Sequence, residues 1–329
     1  MGRYIIRRLL WVVLVLIVIV VITYSIFFLL PGGGSDAIAN RFAGKQPNPE
    51  IVAEVKQQFG LDKPIYVQFY IFTRNLFLGD QYGWPGLGKS FVLRAPLKPV
   101  LIERMWVTIQ LAVGAAIIWL LVGIPIGILS ALRPRSIWDR GAMTFALIGI
   151  SMPVFWLASI FLYYLTFKTE LFPASGYEPL LEDPVQWAYH LVLPWLTLAI
   201  LFIGFYSRVL RSSMLDVMNE DYVRTAKAKG LSERRVMTRH VLRNSLIPIV
   251  TLFGLDFGAV IGGGAIVTEY VFNIEGVGLY AAEAIQKQDF PSIMAITIFG
   301  AFFIVFFNAL VDIAYAYLDP RIRLGTSAA

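Results

Sequence analysis

The stretch LLWVVLVLIVIVVITYSIFFLL, Leu9 to Leu30, decides the fold class. It contains no charged residue and is as long as the roughly 20 apolar residues a helix needs to cross a bilayer. Arg3, Arg7 and Arg8 precede it, and Pro31-Gly32-Gly33-Gly34 closes it. A secretory leader has a shorter apolar region and a small-residue cleavage site. The segment therefore reads as a retained first spanning helix, with its basic end in the cytoplasm.

Further apolar stretches run from Arg104 to Leu132, Ala142 to Phe167, Leu191 to Leu210, Ile247 to Thr268 and Ile293 to Leu318. Each is wide enough to cross with some tilt. Composition agrees: 57% of the residues are hydrophobic, 15% are charged and the mean hydropathy is +0.68, whereas a soluble domain carries about a quarter charged residues. The expectation is an all-α integral membrane protein with about six transmembrane helices. The absence of cysteine excludes disulfides, thiolate chemistry and Cys-based metal sites. The only histidines, His190 and His240, lie far apart in sequence, and no metal site is expected.

Basic residues set the orientation. Arg133, Arg135 and Arg140 follow the second span. Arg208, Arg211, Arg224, Lys227, Lys229, Arg234, Arg235, Arg239 and Arg243 follow the fourth, and Arg321 and Arg323 lie in the tail. Alternate connections are acidic, with Glu170, Glu178, Glu182 and Asp183 in one and Glu275, Glu283 and Asp289 in another. Both termini are expected in the cytoplasm. The net charge of +6 then faces anionic lipid headgroups and protein partners, and no nucleic acid is expected.

The expected division is a first helix over 1–31, an extracytoplasmic subdomain over 32–100, a five-helix core over 101–318 and a cytoplasmic tail over 319–329. In the subdomain, Ile51, Val52, Val55 and Phe59 have helical spacing from Pro49 to Phe59, and Gly60 stops them. Pro64 to Leu78 is aromatic and amphipathic, with Tyr66, Phe69, Tyr70, Phe72 and Phe77. It is too polar to span and suits a helix at the membrane interface.

The segment 211–246 connects the fourth and fifth spans. Its informative part, Met218 to Pro248, reads MNEDYVRTAKAKGLSERRVMTRHVLRNSLIP. Asn219 can cap a helix with Glu220 and Asp221 in its first turn and Lys227 and Lys229 in its last, and Gly230 ends it. Those charges complement the helix dipole. Tyr222, Ala226 and Gly230 recur every four residues as a narrow smooth edge. Ser232 caps a second, basic amphipathic helix leading into the fifth span. A stiff element held outside the lipid is shaped to dock into another protein; the plainer alternative is a loop that obeys the positive-inside rule.

This segment resembles the cytoplasmic coupling motif of binding-protein-dependent ABC importers. Arg224-Thr225-Ala226, three residues and then Gly230 occupy the Glu-Ala-Ala-x-x-x-Gly positions, with Arg and Thr in place of the first two residues. Ile247-Pro248 lies further downstream than in the general pattern. These departures are similar to the dipeptide and oligopeptide permease branch. The resemblance extends through Tyr4–Arg8, Phe59–Pro64 with Gln68-Phe69, Gly88–Ser90, Ser151–Trp156, Phe172–Tyr177, Glu269–Gly278 and Leu318–Arg323. Gln81–Pro85 looks like an insertion.

The resemblance implies a type I ABC importer permease fold in a bacterial or archaeal plasma membrane. It implies a second homologous permease, two ABC ATPases that bind ATP and Mg, and an extracytoplasmic solute-binding protein. The implied solutes are di- or oligopeptides. It assigns ATPase coupling to Glu220, Asp221, Tyr222, Arg224, Thr225, Ala226, Lys227, Lys229, Gly230 and Leu231. Glu269, Glu275 and Gly276 become candidates for the outer gate or binding-protein contact, or belong to an ordinary solvated connection.

Asp256 lies within the fifth span, where an acid is a functional candidate by default. It could face the translocation path and attract a peptide amino terminus, or be paired with a Ser, Arg or backbone group of the partner subunit, or be reached by water. Gly254, Gly258 and Gly262 permit close helix contact, either with a companion permease or within the chain. Gly83 to Ser90, GWPGLGKS, matches the P-loop pattern, but Pro96 and Pro99 argue against the helix that must follow. No cofactor is expected in this chain, nor any catalytic set of side chains. The rival readings are an ion-coupled carrier working without an ATPase and, more distantly, a membrane-anchored nucleotide enzyme.

Overall fold

The computed structural model describes residues 2–29, 34–44 and 48–318. The turn Pro31–Gly33 and the tail with Arg321 and Arg323 lie outside the described residues. The chain begins with α1 (Gly2–Tyr24), prolonged by a wide turn over Ser25–Leu29. Then come α2 (Gly34–Phe42), α3 (Pro49–Phe59), α4 (Ile65–Leu78) and a short hairpin of β1 (Lys89–Ser90) and β2 (Ala95–Pro96), antiparallel, with Lys89 opposite Pro96. They are followed by α5 (Leu97–Leu132), α6 (Ile137–Ser151), α7 (Val154–Phe161), α8 (Pro184–Met218), α9 (Asp221–Ala228), α10 (Glu233–Arg235), α11 (Arg243–Ser245) and α12 (Ile247–Ala259). The last elements are α13 (Ile266–Phe272), α14 (Val277–Lys287) and α15 (Phe290–Leu318).

Among the described residues, Ile5–Leu29, Leu97–Leu132, Pro184–Met218, Glu233–Gly264 and Phe290–Ala314 are long and apolar enough to cross a membrane. The pair Ile137–Ser151 and Val154–Lys168 supplies a sixth span if taken as one, but it is bent by 103°. The third span, expected as one run from Ala142 to Phe167, is therefore broken. Pro153 disfavours helical backbone at the preceding residue, and Met152 sits at φ −81°, ψ 128°. By contrast α5 continues through Pro125, as membrane helices do where neighbouring groups satisfy the freed carbonyl. The boundary expected at residue 100 falls inside α5.

The chain divides into two compact units. One comprises Met1–Ile5, Gln110–Val260 and Phe307–Ala329; the other Ile6–Ile109 and Ile261–Phe306. In the first, α6 packs along α8. A Cβ on Gly204 would fall 2.5 Å from the Ala146 carbonyl oxygen, so only glycine permits this approach. The Arg211 guanidinium donates to both carboxylate oxygens of Asp139, at 2.6 and 2.8 Å. Asp139 also accepts from the Arg135 backbone N–H at 2.7 Å. A bidentate pair of this kind fixes orientation as well as distance.

In the second unit, α3 follows its sequence signals. Asn48 Oδ1 accepts from the Glu50 N–H at 2.9 Å, and Gly60 closes the helix at φ 61°. The buried faces of α1 to α4 meet in an aromatic core in which Phe28 touches the rings of Tyr24, Phe42, Phe59 and Phe72.

Candidate functional site

The segment after α8 differs from its sequence expectation in how it is capped. Asn219 is still helical (φ −90°, ψ −5°), and its amide donates back to the Leu215 carbonyl at 2.9 Å. It closes α8 and does not open α9. Glu220 takes the extended cap position of α9 without a side-chain cap bond. Asp221 lies in the first turn and Lys227 in the last, so charge still matches the dipole. Ser232 likewise holds an extended cap position ahead of α10, with no side-chain bond.

The exposed face of α9 also differs. Val223 (0% exposed) and Ala226 (6%) form its inward edge. Asp221, Tyr222, Arg224, Thr225, Lys227, Lys229 and Gly230 are exposed, and Leu231 is half-buried. The expected smooth edge of Tyr222, Ala226 and Gly230 is therefore split, because Ala226 is spent on packing inside the chain. The next turn, Val236–Leu242, buries Val236 and Val241. Asn244 donates to the Tyr222 hydroxyl at 2.8 Å, tying α9 to the start of the fifth span. Gly230 has φ +79° and open space where a side chain would stand. Its glycine serves the backbone turn.

On α12, Asp256 is half-buried and accepts from the Tyr206 hydroxyl at 2.8 Å. Tyr206 is fully buried on α8, beside Trp119 and Phe202. The intramembrane acid thus has a partner within its own chain. The glycines on this stretch also find neighbours within the chain. A Cβ on Gly254 would collide with Val311, and one on Gly262 would lie 2.8 Å from the Gly300 carbonyl oxygen. Gly258 is buried. For Gly254 and Gly262 the close approach within the chain is to α15.

The turn between α13 and α14 is built around a buried acid. Glu269 is 0% exposed. Its Oε1 accepts from the Thr108 hydroxyl at 2.6 Å, and its Oε2 from the Leu279 N–H at 3.0 Å. Thr108 in turn accepts from the Val277 N–H at 2.9 Å. The carboxylate thus sits at the N-terminus of α14, where free amides and the helix dipole favour an anion. A Cβ on Gly278 would stand 2.6 Å from Ile266 Cα, so this turn needs glycine there. Gly276 is buried as well, and of the three residues singled out here only Glu275 is exposed. Glu269 therefore organises the turn from inside and offers no surface to a partner. The sequence carried a weak signal for its donor: Thr108 and Gln110 are the two polar side chains in the apolar run from Met105 to Ile118.

Burial raises the Glu269 carboxyl to about 7, opposed by its hydrogen bonds to Thr108, Leu279 and Gly278 and by the Arg104 charge. An acid raised in the folded state favours opening as pH rises from its ordinary value of 4.5 through about 7. Once intrinsic exchange rates are removed, Leu279 amide protection should fall over that window and level off above it. Glu269→Gln should flatten the dependence. Hydrogen exchange on the wild type and this variant measures both.

The P-loop look-alike lacks the architecture its chemistry needs. A two-residue hairpin follows Gly88, and α5 begins only at Leu97. Ser90 donates to Asp289 at 2.5 Å, and Lys89 pairs with Glu54. Asp289 also accepts from Ser292 at 2.5 Å, next to the start of α15. No helix begins directly at Ser90 to hold a phosphate.

Residues 123–324 match the model of the binding-protein-dependent transport system inner membrane component, and residues 1–112 match the N-terminal model of the same membrane components. A Brucella abortus (strain 2308) protein named as a peptide transport system permease is 40% identical over 90% of each chain. The dipeptide transport system permease protein DppB of Alkalihalophilus pseudofirmus is 34% identical over 98% of this chain and 100% of its own. A crystal structure of an amino acid ABC transporter aligns with a TM-score of 0.52 at 15% identity, covering 70% of this chain and 99% of that one. That last likeness concerns the fold alone. Together with the apolar helices, these matches set aside the ATPase-free carrier: the chain belongs to the inner membrane permease components of binding-protein-dependent ABC transport systems.

Proposed function

We propose that this chain is one of two permease subunits in a bacterial plasma-membrane importer of di- or oligopeptides, with both termini cytoplasmic. The observation that carries this reading is α9, a short helix outside the apolar spans. Its inner edge is packed by Val223 and Ala226, and its opposite face is exposed. Two separate ATPases bind ATP and Mg, and the exposed residues from Asp221 to Gly230 seat α9 in a groove of one of them. The Tyr222–Asn244 bond and the short turns of α10 and α11 then carry its displacement to the fifth span. An extracytoplasmic binding protein delivers the peptide at the opposite face, near Glu275. Asp256, with one oxygen held by Tyr206, attracts the peptide ammonium along the path. The peptide names of the relatives support the solute class, and the chain's own role involves no covalent chemistry.

Uptake of a labelled dipeptide tests this in vesicles containing the full assembly. ATP on the α9 side, with binding protein on the other, should drive accumulation, and an imposed proton or sodium gradient without ATP should not. Uptake that follows the ion gradient alone would overturn the proposal.

A further inference from the structure

The subdomain between the first two spans has one polar side and one aromatic side. On α3 the exposed positions are Pro49, Glu50, Ala53, Glu54 and Gln57. On α4, Tyr66 (72% exposed), Tyr70 (64%) and Phe77 (47%) stand in the open. At 3.6 residues per turn these three fall within roughly 40° of one another around the helix. Trp84 (66% exposed) joins them, its indole donating to the Phe77 carbonyl at 3.0 Å. Arg74, also exposed, lies one turn from both Tyr70 and Phe77. The other face of α4 is already used, since Phe72 and Leu76 are buried. Both faces of this helix are therefore aromatic, and only one has a protein partner within the subdomain.

The level of α4 along the membrane follows from its contacts with α1. Tyr24 donates to the Ile65 carbonyl at 3.5 Å and packs on Phe69 and Phe72 at 5.1 and 5.6 Å between ring centres. The apolar span of α1 is Ile5–Leu29, and at 1.5 Å per residue Tyr24 lies roughly 24 Å along the axis from Arg8. With Arg8 among the headgroups on one side, Tyr24 comes close to the far edge of a hydrocarbon layer about 30 Å thick. α4 is held at that edge, not in bulk water above it.

From this placement we infer that α4 and Trp84 form a membrane-interface anchor, with Tyr66, Tyr70, Phe77 and Trp84 inserted at the headgroup level and Arg74 reaching the lipid phosphates. Tyrosine and tryptophan suit this layer because each joins an apolar ring to a polar tip. Arginine can lay its stem on apolar surface and keep its charge at the phosphates. The anchor does not depend on the solute; the orientation proposed above makes it an outer-leaflet anchor.

The chain contains no cysteine, so single labels can be introduced directly. Nitroxides at Tyr70→Cys and Phe77→Cys, with Glu50→Cys as control, would be placed in the full assembly. The vesicles would be of phosphatidylethanolamine with phosphatidylglycerol. Collisions with oxygen and with an aqueous nickel chelate are then compared. At Tyr70 and Phe77 the ratio of oxygen to chelate collisions should exceed that at Glu50 several-fold. Equal chelate access at all three sites would overturn the anchor. Labels immobilised and shielded from both reagents would overturn it too, by showing that another subunit covers α4.

Discussion

Thr225→Trp should leave the permease folded and inserted yet release its ATPase partners and abolish ATP-driven uptake. Thr225 is exposed on α9, and its hydroxyl bonds only to the Asp221 carbonyl one turn back, at 2.9 Å. The position is exposed, and an exposed helical substitution of this type costs about 0.5 kcal/mol. If α9 sits in a groove of the ATPase, the same ring fills space the partner needs. Disrupting a central interface contact costs about 2 kcal/mol or more, roughly a thirty-fold loss in affinity. Co-purification and dipeptide uptake read the effect together. Ala226→Glu is the contrast, because that position is buried and a charge there attacks the packing of α9 itself. It should lower the yield of folded protein as well as coupling. Retained ATPase binding and uptake in Thr225→Trp would show that α9 does not dock.

Glu269→Ala is expected to give the other large effect, by a different route. It removes the acceptor for the Thr108 hydroxyl and the Leu279 N–H, both buried. Each stranded donor costs about 1–3 kcal/mol, so the turn should lose roughly 2–6 kcal/mol. Because Thr108 also holds the Val277 N–H, the start of α14 should loosen as a whole. Thr108→Val breaks the same network from its other side. If the two residues act together, the double variant should lose clearly less than the sum of the single losses. Thermal unfolding in detergent and amide exchange at Val277 and Leu279 measure this. ATPase co-purification should stay intact while uptake falls, opposite to Thr225→Trp in its binding readout. Unchanged protection at Leu279 in Glu269→Ala would refute the central role given to this carboxylate.

These two sites were unequally legible in the sequence. The α9 helix announced itself by local signals: an acidic first turn, a basic last turn and a glycine to end it. Its inward edge was misread, since the four-residue spacing grouped Ala226 with Tyr222 and Gly230 as an outer edge, whereas packing turns Val223 and Ala226 inward. Which residue capped which helix was not legible either, because Asn219 can serve either the end of α8 or the start of α9. The choice fell to backbone angles that α8 imposes by running on to Met218.

The hydrophobic runs by themselves determined the class of the protein, since burial of uncharged segments of spanning length depends on each segment alone. Helix stops at Gly60 and Gly230 were likewise local, set by backbone conformations that glycine adopts without strain. Tertiary structure alone decided the pairings. Glu269 meets Thr108 across 161 positions of sequence, Arg211 meets Asp139 across 72, and Asp256 meets Tyr206 across 50. An acid in an apolar run states only that a partner is needed. Packing chooses the partner, because a buried polar group must be satisfied by whatever donor the fold brings within about 3 Å. The same holds for Gly254 and Gly262: their spacing licensed close contact, and the path of α15 decided which helix of the chain approaches them.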